Sequence, residues 1–248
     1  MYENCTGIVL RHRHYGETDT QLILLTAELG RVAVLAKGIR SIKNANYGAC
    51  QLYTYSHFQL SKRGDGYVLS SAELIESFFG VHTQLEVSAA ADCMNEMALL
   101  VSLEGSAEPE LLRLLLNCLY FLKQGFSARR IKTVFFLKLA ALTGYEPDVT
   151  PCACGGRQTR FFLYDGELGC EQCTQGREFI TLTPAALQAF RFVLEAPLRR
   201  TVEFLLGEEN SLLLEELSEA YLCAQLGERP KTLDFYHRLS SLPPQNQA

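Results

Sequence analysis

What this chain lacks narrows its chemistry before any motif is read. No apolar run reaches the roughly 18 residues that cross a bilayer, because Arg113, Asn117 and Lys138 interrupt the best candidates. The opening Met1-Tyr2-Glu3-Asn4-Cys5-Thr6-Gly7 has neither the basic flank nor the apolar stretch of a secretion signal. A cytoplasmic location with no membrane partner is therefore expected. There is no phosphate loop, no Gly-x-Gly-x-x-Gly, no Gly-x-Ser-x-Gly and no carboxylate-rich metal cluster. These absences argue against an enzyme. Acidic residues are also missing from two long stretches. Residues 29–64 hold six basic side chains (Arg31, Lys37, Arg40, Lys43, Lys62, Arg63) and no acid. Residues 111–145 hold six more (Arg113, Lys123, Arg129, Arg130, Lys132, Lys138), again with no acid. The negative charge collects late, at Glu203, Glu208, Glu209, Glu215, Glu216 and Glu219. A net charge of −5 argues against a general polyanion binder, yet this sorting predicts a basic face for phosphates and an acidic one elsewhere.

What is there reads as a soluble globular chain. With 248 residues, 48% hydrophobic and 21% charged, it has room for one large domain or two to three smaller ones. Residues 5–11, 21–26, 31–37, 51–60 and 66–77 carry the alternating or compact apolar character of short strands. Turn signals separate them at His14-Tyr15-Gly16, Leu29-Gly30 and Arg63-Gly64-Asp65-Gly66. Five strands with no room for crossover helices predict a small closed barrel such as an OB-fold. Its one long connection, residues 38–48, is polar and basic. Lys37, Arg40 and Lys43 are spaced by three and followed by Asn44, Asn46 and Tyr47. Phosphate binding needs several cations where the backbone can approach, and aromatic platforms add base stacking. Tyr15, Tyr47, Tyr53, Tyr55, Phe58 and Tyr67 are candidate platforms, or else fill the barrel. Two carboxylates in Tyr15-Gly16-Glu17-Thr18-Asp19 have no further acid nearby and read as a turn or cap.

After Gly80 the period becomes helical. Helices are expected over 85–103, 109–123, 128–143, 198–206, 211–226 and 231–239, with Ser127 and Thr183-Pro184 as starts. The last residues, 243–248, have the composition of a frayed tail. The fold class is thus α+β multidomain: an N-terminal OB-fold β-barrel (1–80), then a helical domain (81–145 and 180–242) with an inserted zinc ribbon (146–179).

The ribbon rests on Cys152-x-Cys154 and Cys170-x-x-Cys173, two close pairs separated by a short segment. Four thiolates suit one structural zinc and leave no open position for catalysis. A metal-free ribbon or a redox pair stays open as an alternative, because the first pair is one residue short. Catalytic zinc of the deaminase kind would need a His-x-Glu, which none of the five histidines supplies. Cys5, Cys50, Cys93, Cys118 and Cys223 read as buried free thiols. Arg157, Arg160 and Arg177 in the ribbon are a solvated face or phosphate contacts. Arg129, Arg130 and Lys132 open a helix. They fit DNA, an acidic partner peptide lying against Val134, Phe135 and Phe136, or a solvated helix start. Cations there run against the macrodipole, a small cost that hints at a use.

Several stretches together resemble the RecO family of bacterial recombination mediators. In the barrel they are Thr6-Gly7-Ile8-Val9-Leu10, Tyr15-Gly16-Glu17-Thr18-Asp19, Leu24-Leu25-Thr26, Gly30 and Ala36-Lys37-Gly38-Ile39-Arg40. Further on, Phe136-Leu137-Lys138-Leu139 and Thr143-Gly144-Tyr145-Glu146-Pro147 lead to the cysteines, and Leu233-Asp234-Phe235 is similar to the last helix. The resemblance implies an OB-fold, a helical domain and a zinc ribbon. It implies a non-catalytic, nucleoid-associated protein that binds single- and double-stranded DNA and anneals complementary strands. It also implies work with RecR, through which RecA is loaded onto DNA coated by single-stranded-DNA-binding protein, whose acidic C-terminal tail is a further partner. By position, Lys37, Arg40, Lys43 and Tyr47 become the DNA contact, with Arg11 and Arg13 beside them. Arg129, Arg130 and Lys132 become the receiver of the tail, and Cys152, Cys154, Cys170 and Cys173 the zinc ligands. The departure is Cys-x-Cys where the family commonly has two intervening residues. The competing class is a zinc-ribbon scaffold that binds proteins and touches nucleic acid weakly.

Overall fold

The computed structural model describes residues 2–240 apart from 65, 151, 153, 157, 158 and 175. The expected tail at 243–248, Asp65 of the hairpin and Arg157 of the ribbon lie outside the described residues. Contacts divide the chain into two compact units. Residues 1–88 with 95–123 form the first, and 89–94 with 124–248 the second.

The first unit is built on β1 (Tyr2–Tyr15), β2 (Asp19–Thr26), β3 (Gly30–Ala36), β4 (Thr54–Arg63) and β5 (Gly66–Ser77). They close a barrel in the order β1-β2-β3-β5-β4. β1 is long enough to serve two neighbours. Its first half pairs with β4 (Tyr2↔Ser61 to Ile8↔Tyr55) and its second with β2 (Gly7↔Thr26 to Tyr15↔Asp19). A bulge between Val9 and Arg11 bends it between the two partners. The carbonyl of Leu10, at that bulge, accepts from Asn95 Nδ2 at 2.7 Å. Closure between β3 and β5 is parallel and brief, through Val34↔Tyr67 and Leu35↔Val68. Alternation sends Cys5, Val9, Leu22, Leu24, Val32, Val34, Phe58 and Leu60 into the barrel. Each large apolar side chain buried there stabilises the fold by about 1.5–3 kcal/mol before entropy is counted. Gly30 turns β2 into β3 with φ +63°, and a Cβ there would stand 1.9 Å from the Ser106 carbonyl oxygen.

Helices α1 (Leu85–Val101), α2 (Pro109–Lys123), α3 (Ala128–Leu142), α4 (Pro184–Glu195), α5 (Glu208–Leu226) and α6 (Lys231–Ser240) follow. In the first unit, α2 packs on β2. In the second, α3 is the central element, with Ile131, Val134, Phe135, Phe136, Leu137 and Leu139 all fully buried. Its Ser127 cap accepts from Arg130 N, and Thr183 caps α4 by accepting from Ala186 N at 3.1 Å. The helix expected over 198–206 is a single 3-10 turn, Leu198–Arg200. Beyond Thr201 and Val202, both β-branched, the chain runs on without helix to α5. A three-stranded sheet, ordered β7 (Glu167–Gly169), β6 (Arg160–Phe162), β8 (Phe179–Thr181), forms the ribbon. Phe161 fixes it to the helices, with its ring edge-on to Phe190 at 5.3 Å and to Tyr221 at 5.1 Å. No helix among the described residues is long and apolar enough to cross a membrane.

Candidate nucleic-acid interface and metal centre

The basic loop is organised by short-range bonds rather than left to solvent. Its start is tied to the β1–β2 turn. Gly38 N donates to Asp19 Oδ1 at 2.8 Å, Arg40 N to Thr18 O at 3.2 Å, and Arg40 Nη1 to Glu17 O at 2.7 Å. This accounts for the Asp19 carboxylate as a turn-holding group, whereas Glu17 contributes only its backbone carbonyl. Asn44 Nδ2 donates to the carbonyls of Lys37 and Gly38, and its Oδ1 accepts from Asn46 N. Asn46 Oδ1 in turn accepts from Ala72 N on β5 at 3.0 Å. Ile39 is buried in the barrel core, while Ile42 is 81% exposed between Arg40 and Lys43. His12 Nε2 donates to the Cys50 carbonyl at 2.7 Å, which holds the far end of the loop to β1. Desolvation lowers the His12 imidazole below its ordinary value, with that bond pulling the other way.

On this frame Lys37, Arg40 and Lys43 are exposed, and so are Arg11 and Arg13 on β1. Tyr47 is half-buried, with its carbonyl taken by Gln51 Nε2. Of the candidate platforms, Tyr53 and Phe58 are inside the protein, whereas Tyr15 is 63% exposed. A second cationic feature was counted in the sequence but not placed by it. Arg31, Lys62, Arg63 and Tyr67 line an open groove of about 920 Å³ beside the brief β3–β5 seam. Lys62 and Arg63 end β4 just before the hairpin glycines, and that adjacency was the available signal. Among the described residues, no carboxylate lies within 4 Å of Arg11, Arg13, Lys37, Arg40, Lys43, Lys62 or Arg63. Arg31 meets Glu104 at 3.4 Å.

The helical cations differ. Lys132 is fully buried, with Nζ at 2.9 Å from Glu215 Oε1, bonded to Glu219 Oε1 and 3.5 Å from the Tyr236 ring centroid. Arg129 bridges Glu208 and Glu215, and His237 Nε2 meets Glu219 Oε2 at 2.6 Å. Lys138 donates to the carbonyls of Leu194 and Ala196 at the end of α4. Three of the late glutamates, Glu208, Glu215 and Glu219, therefore neutralise Arg129 and Lys132 of α3, while Glu209 and Glu216 stay exposed. The use hinted at by cations at a helix start is internal for Arg129 and Lys132. Arg130 lies over the Phe204 ring at 5.4 Å and donates to Val202 O. With Arg129, Thr133, Phe204, Leu206 and Leu214 it lines a cavity of about 160 Å³. The buried Thr133 hydroxyl there has no hydrogen-bond partner among the described residues.

The four cysteines come together. Their sulfurs all lie within 4.8 Å of one another, an arrangement able to hold one metal ion. Cys152–Cys154, Cys154–Cys170, Cys152–Cys173, Cys154–Cys173 and Cys170–Cys173 are 3.0, 3.1, 3.5, 3.6 and 3.8 Å apart. A tetrahedron of sulfurs 2.3 Å from zinc has edges of about 3.8 Å, so the short first pair reaches the cluster. The Cys154 thiol, followed by the backbone N–H groups of Cys173 and Gln172, brings the Cys170 thiol down to about 7. Burial instead pushes Cys5, Cys50 and Cys93 up to about 12, and Cys118 higher still. These are inert core thiols. Arg160 and Arg177, the described ribbon arginines, serve the ribbon itself. Arg177 pairs with Asp165 and Glu167 over the Phe162 ring, and Arg160 lies over Phe179.

A closed OB-like barrel joined to helices that carry a four-cysteine ribbon defines the class: a multidomain protein with a barrel of the nucleic-acid-binding kind and a ribbon of the metal-binding kind. Residues 1–78 match the family description "Recombination protein O N terminal" and residues 82–234 "Recombination protein O C terminal". The chain belongs to this RecO family. It is 30% identical over 250 residues to a DNA repair protein RecO of Acetivibrio thermocellus, covering 97% of this chain and 98% of that one. A protein of the same name from Desulfitobacterium hafniense is 35% identical over 176 residues, 68% of this chain and 64% of that one. Another from Caldicellulosiruptor saccharolyticus is 26% identical over 235 residues, 93% and 96% of the two chains.

Proposed function

We propose that this protein is a DNA-binding mediator of recombinational repair, working by binding rather than by catalysis. The observation that carries the reading is the set of seven barrel cations with no carboxylate partner among the described residues, three of them (Lys37, Arg40 and Lys43) along a loop pre-shaped by Asp19, Asn44 and Asn46. A rigid cationic surface pays little ordering entropy when it meets a phosphate backbone, and each neutralised phosphate releases counterions. Lys37, Arg40, Lys43, Arg11 and Arg13 make one part of that contact, with Tyr47 beside them. Arg31, Lys62 and Arg63 in the groove make another. Single and double strands both present phosphates to such a surface, and holding two strands together favours annealing. In this reading the protein acts with RecR at the nucleoid, in the cytoplasm. It helps RecA onto strands coated by single-stranded-DNA-binding protein. The acidic tail of that protein docks at the Arg130 cavity, where the Phe204 and Leu206 side chains suit an apolar tail residue and the orphan Thr133 hydroxyl a carboxylate.

The metal in this reading is one structural zinc on Cys152, Cys154, Cys170 and Cys173. It supplies cross-linking to a ribbon whose own core is small. The barrel (1–80) is the DNA module, and the helical domain (81–145, 180–242) with its ribbon (146–179) is the partner module.

A salt titration of single-stranded DNA affinity tests the proposal. Phosphate contacts give a log–log slope of about −0.7 per neutralised phosphate on single strands. A flat slope, or unaccelerated annealing of complementary oligonucleotides, would instead support a ribbon scaffold for protein partners.

A further inference from the structure

Cys152-x-Cys154 leaves one residue fewer than usual to aim two sulfurs at one point, so the chain must turn sharply after Cys154. It does so through Gly155, whose N–H donates to the Cys152 carbonyl at 3.0 Å and whose φ is +72°. The next position then falls against the opposite pair. A Cβ on residue 156 would stand 2.6 Å from Cys170 Sγ, 2.7 Å from Cys170 Cβ and 3.4 Å from Cys154 Sγ. Cys170 has nowhere to retreat. It is 2% exposed, and its carbonyl accepts from Cys173 N at 3.1 Å and from Thr174 Oγ1 at 3.0 Å, with Arg160 on the same threonine. The other described ribbon glycines differ. A Cβ at Gly155 or Gly176 meets nothing within 4 Å, while Gly169 faces the Phe162 ring and Gly166 the Tyr221 hydroxyl.

We infer that Gly156 is a metal-positioning residue. By carrying no side chain it lets the shortened first pair and Cys170 converge on a single ion. The inference rests on reading the four cysteines as a metal centre, and it assigns to the second glycine of Cys154-Gly155-Gly156 a task that a four-residue ligand set alone does not reveal. Even one methyl group at 156 must push Cys170 Sγ outward or unbend the first pair, and either opens the tetrahedron.

The test uses the full chain, with cobalt(II) as a spectroscopic probe and zinc as the competing ion. The parental chain should bind one ion, with the intense thiolate-to-cobalt and tetrahedral d–d absorption of four sulfurs. Gly156→Ala should lose at least tenfold in zinc affinity against a chromophoric chelator and show an altered cobalt spectrum. Gly176→Ala, equally strained in its backbone (φ +70°) but with nothing within 4 Å of its Cβ, should keep the parental spectrum. A Gly156→Ala protein with parental zinc affinity and cobalt bands overturns the assignment alone. A parental chain that takes up neither ion sinks the metal-centre reading and this inference with it. If Gly156→Ala does not fold, a pair of variants decides. Cys170→Gly removes both clashing atoms, so adding Gly156→Ala to it should leave its thermal midpoint unchanged. A further fall there means the alanine harms something other than the sulfur contact, and the inference fails.

Discussion

Cations of one residue type are used in opposite ways by the two units. On the barrel, Lys37 and Lys43 are exposed, on a backbone held still by asparagine side chains and by Asp19. In the helical unit Lys132 is sealed in, its charge matched to Glu215 and Glu219 and its ammonium set over Tyr236. An unpaired exposed charge contributes little to folding and remains available to a ligand. A buried one is committed to folding, because its removal strands its partners in low dielectric. Counting basic residues along the chain treats the two alike, and their surroundings show that they are not.

Substitution of the two lysines breaks the comparison most directly. Lys132→Met should destabilise the helical unit by about 3–5 kcal/mol, as expected when a buried ion cluster loses one member. Lys37→Met should change stability by no more than about 0.5 kcal/mol, since it removes no buried contact. Urea unfolding followed by circular dichroism checks both, and equal losses would erase the distinction. Next in size is DNA binding. Replacing Lys37, Arg40, Lys62 and Arg63 together by alanine should flatten the single-strand salt slope by about 0.7 for each phosphate contact removed. Fluorescence anisotropy at several salt concentrations reads this, and an unchanged slope moves the DNA site off the barrel. Arg130→Ala should weaken binding of an acidic peptide with an apolar C-terminal residue about tenfold, since a charged hydrogen bond contributes roughly 1.5 kcal/mol or more. It should leave DNA affinity on the barrel intact, and loss of DNA binding instead would merge the two functions.

The smallest expected effect concerns His12. Its imidazole sits below its ordinary value in the fold, so as pH falls the unfolded chain takes up a proton first. The stability it contributes is present above about pH 6.5 and drains away as pH falls toward the folded value. Thermal midpoints between pH 7.5 and 5.5 should decline slightly, and His12→Gln should flatten that decline.

Much of the fold was legible because its signals are local. The span 66–77 is β5 and 109–123 is α2, and the start signals at Ser127 and Thr183 act as caps in the structure. The four cysteines were legible for the same reason, since thiols in two close pairs have few other uses. What failed to show was pairing across distance. Arg129 and Glu215 are 86 residues apart, and Lys132 and Glu219 are 87 apart, so no window along the chain reveals that they neutralise one another. The expected helix at 198–206 failed in a related way. Its apolar residues have a tertiary use, with Phe204 lying under Arg130 and Leu206 lining the same cavity. The groove residues Lys62, Arg63 and Arg31 meet through the barrel's closure, which a count of charges does not contain.

That closure also sets an order of events. The β1–β2, β2–β3 and β4–β5 pairings join neighbours through short turns, whereas β3 meets β5 through Val34↔Tyr67 and Leu35↔Val68, across the whole of the basic loop and β4. A seam that spans so much chain and yields so few bonds forms late in folding, after the hairpins have made closing it worthwhile. It is also the first to part when the barrel breathes. The groove lies along that seam, so a strand lying in it would act as a stitch, and bound DNA should slow amide exchange at Leu35 and Val68.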